Sequence, residues 1–188
     1  RGKEASGFCN VDDQHIEHFR FPYPASKLLQ HEAFNQSFCL DVDLKFQCAF
    51  GHSRLVTNGY EHDNGNNQPV TTNNVTLVHN GIVVNHQQLW KDDLLEEPKS
   101  MLDTEVIPVL IRKEQKSSGN LAQSIAKAFR KLEGMTSIIS FFHEEQNLYC
   151  ATNNGSLYYL LDAQMGWVMM ASERNFLEQI RDEFSFST

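Results

Sequence analysis

The sequence lacks a long apolar run and is short of basic residues, and both absences narrow what the protein can do. No stretch approaches the roughly 20 apolar residues that a membrane-spanning helix requires. Sixteen Lys and Arg residues stand against 24 Asp and Glu residues, giving a formal net charge of -8. No cluster of basic residues offsets this balance, and nucleic-acid binding needs positive charge opposite the phosphates. We therefore predict neither a membrane partner nor a nucleic-acid partner.

Cysteine is also scarce, and its spacing excludes several kinds of site. The four cysteines form no Cys-x-x-Cys pair, so the sequence predicts neither a zinc ribbon nor a thioredoxin-like centre. They are Cys9, Cys39, Cys48 and Cys150. His15, His18 and His62 lack the further ligands that a metal site needs. We predict no metal and no cofactor, and because no signal peptide is recognisable we expect a cytoplasmic protein.

Length and pattern indicate one globular α+β domain over residues 1–188. A chain of this length buries about 70% of its unfolded surface. Alternating apolar residues predict a hairpin over 7–20 and a buried strand over 46–50, and four later strands joined by tight polar turns predict an antiparallel meander. Those strands are expected near 136–142, 148–152, 157–161 and 167–171. Helical spacing predicts helices near 26–34, 86–95, 103–111, 121–132 and 173–182.

Three local features make sharper predictions. Asn80-Gly81, the strongest short turn signal, separates apolar residues 75–79 from 82–84 and predicts a hairpin bend. Asp103 precedes an apolar run and suits the N-cap of the next helix, in which Pro108 is expected to disturb the turn before it. The Asn- and Gly-rich segment 59–74 predicts a turn-rich loop and a candidate lid.

Three short stretches carry polar groups of complementary kinds. They are Gly51-His52-Ser53-Arg54-Leu55-Val56-Thr57-Asn58-Gly59, Leu77-Val78-His79-Asn80-Gly81-Ile82 and Leu102-Asp103-Thr104-Glu105-Val106. Together they offer a fixed cation, a side-chain amide beside a glycine, and a carboxylate at a predicted helix start. These groups suit the carboxylate, the polarised side-chain carbonyl and the ammonium of a free amino acid that carries an amide.

The stretches resemble the glutaminase domain of class II glutamine amidotransferases, a family of N-terminal-nucleophile hydrolases. The opening Arg1-Gly2-Lys3-Glu4-Ala5-Ser6-Gly7 is similar to the family's Arg-Gly-x-(Asp/Glu)-(Ser/Ala)-(Ser/Ala)-Gly stretch, and the likeness extends to the hairpins beyond Gly134. The form Val78-His79-Asn80-Gly81-Ile82-Val83-Val84-Asn85-His86 is closer to the glucosamine-6-phosphate synthase branch than to the asparagine-forming branch.

This resemblance implies a fold and an activity. The fold is a four-layer αββα sandwich of two antiparallel sheets. The activity is hydrolysis of L-glutamine to glutamate and ammonia, which passes to an acceptor such as a sugar phosphate on a synthase or acceptor domain, fused or separate.

The resemblance also implies a role for each site residue. Arg54 would grip the α-carboxylate of glutamine and Asp103 its α-ammonium, whereas Asn80 and Gly81 would form the oxyanion hole. Thr57 and Asn58 match the lid segment that encloses the substrate. Simpler readings stay open: a strand-end ion pair for Arg54, an N-cap for Asp103, and a plain turn for Asn80-Gly81. His52 and His79 are expected to be hydrogen-bonded core residues.

The family's nucleophile, a cysteine at the first residue of the processed protein, is not in the sequence. Cys9 and Cys48 have strand contexts and carry no free amine. We therefore expect that residues 1–188 lack the N-terminal nucleophile segment and are inactive on their own. Two alternatives remain: a catalytically silent module that binds glutamine or supports a partner, and an unrelated α+β scaffold.

Overall fold

The fold was obtained as a computed structural model, which describes residues 2–12, 15–37, 47–54, 64–145 and 147–184. The strands are β1 (Ala5–Asp12), β2 (Ile16–Phe21), β3 (Gln47–Arg54), β4 (Val70–Thr72), β5 (Val75–Gly81), β6 (Thr136–Phe142), β7 (Asn147–Thr152), β8 (Tyr158–Asp162) and β9 (Trp167–Ala171). The helices are α1 (Ala25–Leu28), α2 (Glu32–Ser37), α3 (His86–Gln88), α4 (Val106–Ser118), α5 (Leu121–Phe129) and α6 (Arg174–Phe184). A π-helical turn, Leu89–Leu94, continues α3.

The first sheet has the order β2-β1-β3, with antiparallel neighbours. The central strand pairs Gly7 with Arg20 on one side and with His52 on the other. Its residues alternate between the two faces of the sheet, as the period of two in a strand requires. The hairpin predicted over 7–20 is confirmed.

The second sheet has the order β4-β5-β6-β7, and β8 and β9 form a separate hairpin on which α6 packs. The four strands predicted after residue 135 are confirmed, as are the antiparallel pairs β6-β7 and β8-β9. The prediction of one continuous meander is wrong, because β7 and β8 do not pair. Side-chain bonds redirect the chain between them: Asn154 Oδ1 accepts from Ser137 Oγ at 2.9 Å and from Ser156 N at 3.0 Å. Strand β4 also lies inside the segment predicted as a loop, since Val70 pairs with Leu77.

The two larger sheets pack face to face and helices cover their outer faces. Between the sheets, Cys9, Val11 and Phe50 of the first contact Val78 and Phe141 of the second. Helices α4 and α5 bury their apolar faces on the far side of the second sheet. On the far side of the first, the ring of Phe8 meets that of Phe34 in α2 at 5.0 Å. This arrangement is the predicted αββα sandwich.

The predicted bend at Asn80-Gly81 is wrong, because β5 continues through both residues. Asn80 pairs with Ser137 and Gly81 with Thr136 of β6. The backbone hydrogen bonding continues one residue further, where Ile82 N donates to Met135 O at 2.9 Å. Gly81 has a φ of +139°, and a Cβ there would lie 1.8 Å from the Met135 carbonyl oxygen. The glycine thus serves a close backbone approach inside a sheet rather than a turn.

The predicted N-cap at Asp103 is also wrong, although a helix follows it. Asp103–Glu105 form a 3-10 turn that leads into α4, and the Asp103 side chain makes no capping bond to it. Pro108 lies in the first turn of α4. The backbone N–H groups of a first turn have no intrahelical acceptor, so the missing N–H of proline costs no hydrogen bond there. No helix within the described ranges has the length and apolarity to cross a membrane.

Candidate active site

Arg54 lies at the end of β3 with its side chain turned into the protein, only 4% exposed. A buried guanidinium must find acceptors, and here they come from the segment that follows residue 63. Nη1 donates to Asn67 Oδ1 at 2.8 Å and to the Asn66 carbonyl oxygen. Two neighbouring asparagines therefore hold the Arg54 guanidinium in a fixed position at the end of β3.

The opening motif of the chain supports this end of β3. Ser53 Oγ donates to the Gly2 carbonyl oxygen at 2.7 Å. A Cβ on Gly7 would lie 2.2 Å from the Gln68 carbonyl oxygen, so a side chain there would displace the segment that holds Arg54. Gly2 and Gly7 thus allow the start of the chain to pack closely against β3 and against the segment around Gln68, next to Arg54.

Asp103 supplies a buried carboxylate, 6% exposed, on the 3-10 turn before α4. Its Oδ2 accepts from the Val83 backbone N–H at 2.7 Å. This bond ties the start of α4 to the chain that leaves β5. The carboxylate is consequently held at Val83, the residue directly after the Asn80-Gly81-Ile82 stretch, although Val83 and Asp103 are 20 residues apart in sequence.

Asn80 is exposed and borders a cavity of about 330 Å³ between the layers. The cavity is lined by residues of β3, β5, β6 and β9, including His52, His79 and Ser137. Arg54 and Asp103 are not among its lining residues. Their side chains instead form hydrogen bonds with protein groups, Asn66 and Asn67 for Arg54 and the Val83 N–H for Asp103.

A buried hydrogen-bond network links these groups. The Gln68 side-chain amide bonds both backbone groups of His79: Oε1 accepts from N at 2.6 Å, and Nε2 donates to O at 3.0 Å. His79 Nδ1 lies 3.1 Å from Thr104 Oγ1. Asn67, next to Gln68, bonds Arg54; Thr104 directly follows Asp103; and His79 directly precedes Asn80. The network therefore connects the neighbours of all three predicted site residues.

Two predicted residues, Thr57 and Asn58, lie outside the described residues. Conversely, sequence reasoning missed the supporting roles of Asn67, Gln68 and Thr104. Asn67 and Gln68 lie in the segment that composition predicts to be a loop. The one available signal is a run of three amide side chains, residues 66–68, shortly before the β-branched residues of β4.

Both histidines that border the cavity are neutral at pH 7. Burial, with smaller effects from His79 and Arg54, lowers the pKa of His52 from 6.5 to about 4. Burial also lowers the pKa of His79, although the Asp103 carboxylate opposes the shift.

None of the described cysteines is poised to react. Burial raises the pKa of Cys9 to about 12 and that of Cys48 to about 11, and it also raises the pKa of Cys150. A thiol with a raised pKa is protonated at neutral pH and is a poor nucleophile. Cys9 is thus a core residue despite its position near the start of the sequence. Over the same described segments, no three His, Cys, Asp or Glu side chains are grouped to hold a metal ion.

Comparison with known proteins agrees with this geometry. The model of a family described as "Glutamine amidotransferase domain" matches residues 52–179. The glutamine–fructose-6-phosphate aminotransferase (isomerizing) of Bartonella henselae is 31% identical over 158 residues, 82% of this chain and 24% of the relative. The enzyme of the same name from Thermococcus kodakarensis is 38% identical over 121 residues, 62% of this chain and 20% of the relative.

A solved structure gives the same answer for the fold. Glutamine phosphoribosylpyrophosphate amidotransferase from B. subtilis, complexed with ADP and GMP, superposes with a TM-score of 0.70 at 25% identity over 94% of this chain and 37% of that chain. The fold is thus that of the N-terminal-nucleophile amidotransferases. The chain belongs to the glutamine amidotransferase domain family, class II, and spans between a fifth and a quarter of the length of the two curated relatives given above.

Proposed function

We propose that residues 1–188 form the glutaminase domain of a class II amidotransferase, which hydrolyses L-glutamine to glutamate and ammonia. The observation that carries this proposal is the pair of buried opposite charges, Arg54 and Asp103, tied to one network beside Asn80. A zwitterion offers a carboxylate to the cation and an ammonium to the anion.

Each group has a task suited to its chemistry. The planar guanidinium of Arg54 donates parallel hydrogen bonds to the α-carboxylate of glutamine. The carboxylate of Asp103 accepts from the α-ammonium. Thr57 and Asn58, which match the family's substrate-enclosing segment, are proposed to contact the bound amino acid.

The amide end of glutamine then lies at Asn80 and Gly81. As a thiolate attacks the side-chain carbonyl carbon, the carbonyl oxygen gains negative charge, which the Asn80 amide and the Gly81 N–H stabilise. Each such donor contributes about 100- to 1,000-fold in rate. Ammonia leaves as the tetrahedral carbon collapses to a thioester, and water releases glutamate and regenerates the thiol.

The reaction needs a thiolate, and the described cysteines do not supply it, because burial raises the pKa of each. As the family resemblance implies, the proposed nucleophile is a cysteine that carries a free α-amino group, and this amine acts as its base.

The ammonia is delivered to a synthase or acceptor domain, and the acceptor is a sugar phosphate or a similar metabolite. The named activity of the aminotransferase relatives, which act on fructose 6-phosphate, supports this class of acceptor. We place the reaction in the cytoplasm. Three free thiols, Cys9, Cys48 and Cys150, are what a reducing compartment maintains.

The rival proposal is a silent module that binds glutamine without hydrolysing it. Intact mass and terminal sequencing of the native full-length product, combined with an assay for glutamate release, separate the two. We expect an N-terminal cysteine and glutamate release that alkylation of its thiol abolishes. Glutamine binding with no such cysteine and no release would favour the silent module, and absence of both binding and release would reject both proposals.

A further inference from the structure

We infer that Gln68 is a positioning residue of this site. Its side chain fixes the strand that carries Asn80 relative to the two charged groups. The inference rests on the proposed function and adds to it a residue that touches neither glutamine nor the reacting atoms.

The position of Gln68 follows from the register of β4 and β5. Val70 pairs with Leu77, and continuing that antiparallel register by two residues sets Gln68 opposite His79. Strand β4 begins only at Val70, so its backbone ladder with β5 does not reach His79. The His79 N–H and carbonyl oxygen on this side therefore need partners other than the backbone of β4.

The Gln68 side chain replaces them. Its amide is a donor and an acceptor on one rigid plane, as a backbone peptide is. It accepts from His79 N at 2.6 Å and donates to His79 O at 3.0 Å. Gln68 is 7% exposed and His79 is 2% exposed, so water cannot substitute for either bond.

The consequence for the site comes from what surrounds this pair. His79 immediately precedes Asn80, so the clamp fixes the strand at the proposed oxyanion hole. Gln68 Nε2 also lies 3.4 Å from Thr104 Oγ1, next to Asp103. Asn67, directly before Gln68, accepts from Arg54. The Gln68 side chain therefore lies next to the residues that position all three proposed subsites: Asn67 for the carboxylate, Thr104 for the ammonium and His79 for the amide.

Glutamate is the most informative replacement for Gln68, because its two protonation states differ in whether the side chain can donate a hydrogen bond to the His79 carbonyl oxygen. A neutral carboxyl group keeps one donor and one acceptor in nearly the same shape. An ionised carboxylate has acceptors only, and one of its oxygens would face the His79 carbonyl oxygen. Burial raises the pKa of the introduced carboxyl group above its usual range. Lowering the pH therefore converts the disruptive form into a mimic of the native amide.

The test is calorimetric titration of the full-length protein with L-glutamine at pH 7.5 and pH 5.5. For Q68E we expect the affinity at pH 7.5 to fall roughly tenfold or more below wild type, and to return to within about threefold of wild type at pH 5.5. The titratable or charged groups described around Gln68 are Arg54, His52, His79, Asp103 and Glu105, the last two on the 3-10 turn that packs against β4. Because wild type contains all five, its own two titrations correct for them.

T76V is the matched control. Thr76 is fully buried in the same strand and bonds Thr71 Oγ1 at 3.1 Å and His143 Nε2 at 3.0 Å. Its loss removes buried hydrogen bonds from β5 without touching the Gln68 clamp. We expect T76V to lower thermal stability but to keep the glutamine affinity of wild type at both pH values.

A second variant covers the case in which Q68E fails to fold at pH 7.5. Q68N keeps the amide without adding charge but is one methylene too short to span both His79 groups, and we expect a similar loss of affinity. Wild-type affinity in folded Q68E or Q68N at pH 7.5 would overturn the inference, as would a loss in Q68E that persists at pH 5.5. If wild type itself binds no glutamine, the proposed function fails, and the role of Gln68 falls with it.

Discussion

Two buried side chains of opposite charge, Arg54 and Asp103, distinguish this site at the scale of single residues. Each has a protein partner, Asn67 for the cation and the Val83 N–H for the carboxylate. These bonds hold the two charged side chains in fixed positions, and a fixed charge suits a ligand group of the opposite sign.

The first prediction concerns Arg54. Replacing it by Ala should weaken glutamine binding by about 2 to 5 kcal/mol, because the α-carboxylate loses a desolvated partner. R54K should also bind weakly, because lysine cannot donate the two parallel bonds. Calorimetry measures both, and R181A, which alters a surface pair with Asp182, is the control. Unchanged affinity in folded R54A would reject the assignment.

The second prediction isolates the close approach at Gly81. G81A adds a Cβ 1.8 Å from the Met135 carbonyl oxygen at a φ of +139°, whereas G119A adds one at a φ of +66° with no atom within 4 Å. The G119A change should cost about 1 to 2 kcal/mol of unfolding free energy for the left-handed backbone alone. G81A should cost clearly more in denaturant unfolding. Equal losses would show that the contact with Met135 does not matter.

At the scale of elements, the site is made where β5 leaves its sheet beside the turn before α4. The Val83–Asp103 bond joins these two elements. Asp103 thus serves structure and, in our proposal, ammonium binding, and the two roles should separate by substitution.

The third prediction makes that separation. D103N keeps an oxygen that can accept from Val83 but removes the charge, so it should lose glutamine affinity while its unfolding free energy changes by less than about 1 kcal/mol. D103A removes both and should also lose about 1 to 3 kcal/mol of stability. Calorimetry and denaturant unfolding report the two effects. Full glutamine affinity in D103N would contradict the ammonium role.

The sequence predicted the elements that local pattern controls and failed where tertiary contacts decide. The helix over Leu121–Phe129 follows from its apolar spacing and from Asn120, whose Oδ1 caps it by accepting from Gln123 N at 3.0 Å. Asn80-Gly81 has the composition of a turn, yet pairing with β6 keeps it extended. Only the fold shows that Gly81 must admit the Met135 carbonyl.

The candidate site divides in the same way. The residues proposed to touch glutamine were predicted, because their type and order match a family. Their supports were not, because Gln68 acts through the backbone of a strand 11 residues away. No local pattern encodes such a bond.

At the scale of the whole molecule, histidines whose pKa is lowered by folding make stability depend on pH. The pKa of His52 is about 4 in the folded protein against 6.5 as its ordinary value. Between these pH values the unfolded chain binds a proton that the folded chain does not, so stability should fall as the pH drops from 6.5 toward 4. This residue contributes at most roughly 3 kcal/mol of that loss.

The fourth prediction is that H52N flattens the profile. Denaturant unfolding of wild type and H52N across this pH range should show a shallower fall for the variant, because one unfolded-state proton is removed. His18, His79 and His143 also have lowered pKa values, so a residual slope should remain. Parallel profiles would show that His52 is not responsible.

The central claim is that Arg54 and Asp103 hold opposite ends of one amino acid whose amide faces Asn80. A crystal structure of the protein with L-glutamine tests it most directly. The account predicts the α-carboxylate at the Arg54 guanidinium, the ammonium at Asp103, and the side-chain carbonyl oxygen within hydrogen-bond distance of Asn80. Glutamine bound elsewhere, or bound with these three side chains pointing away from it, would contradict the account.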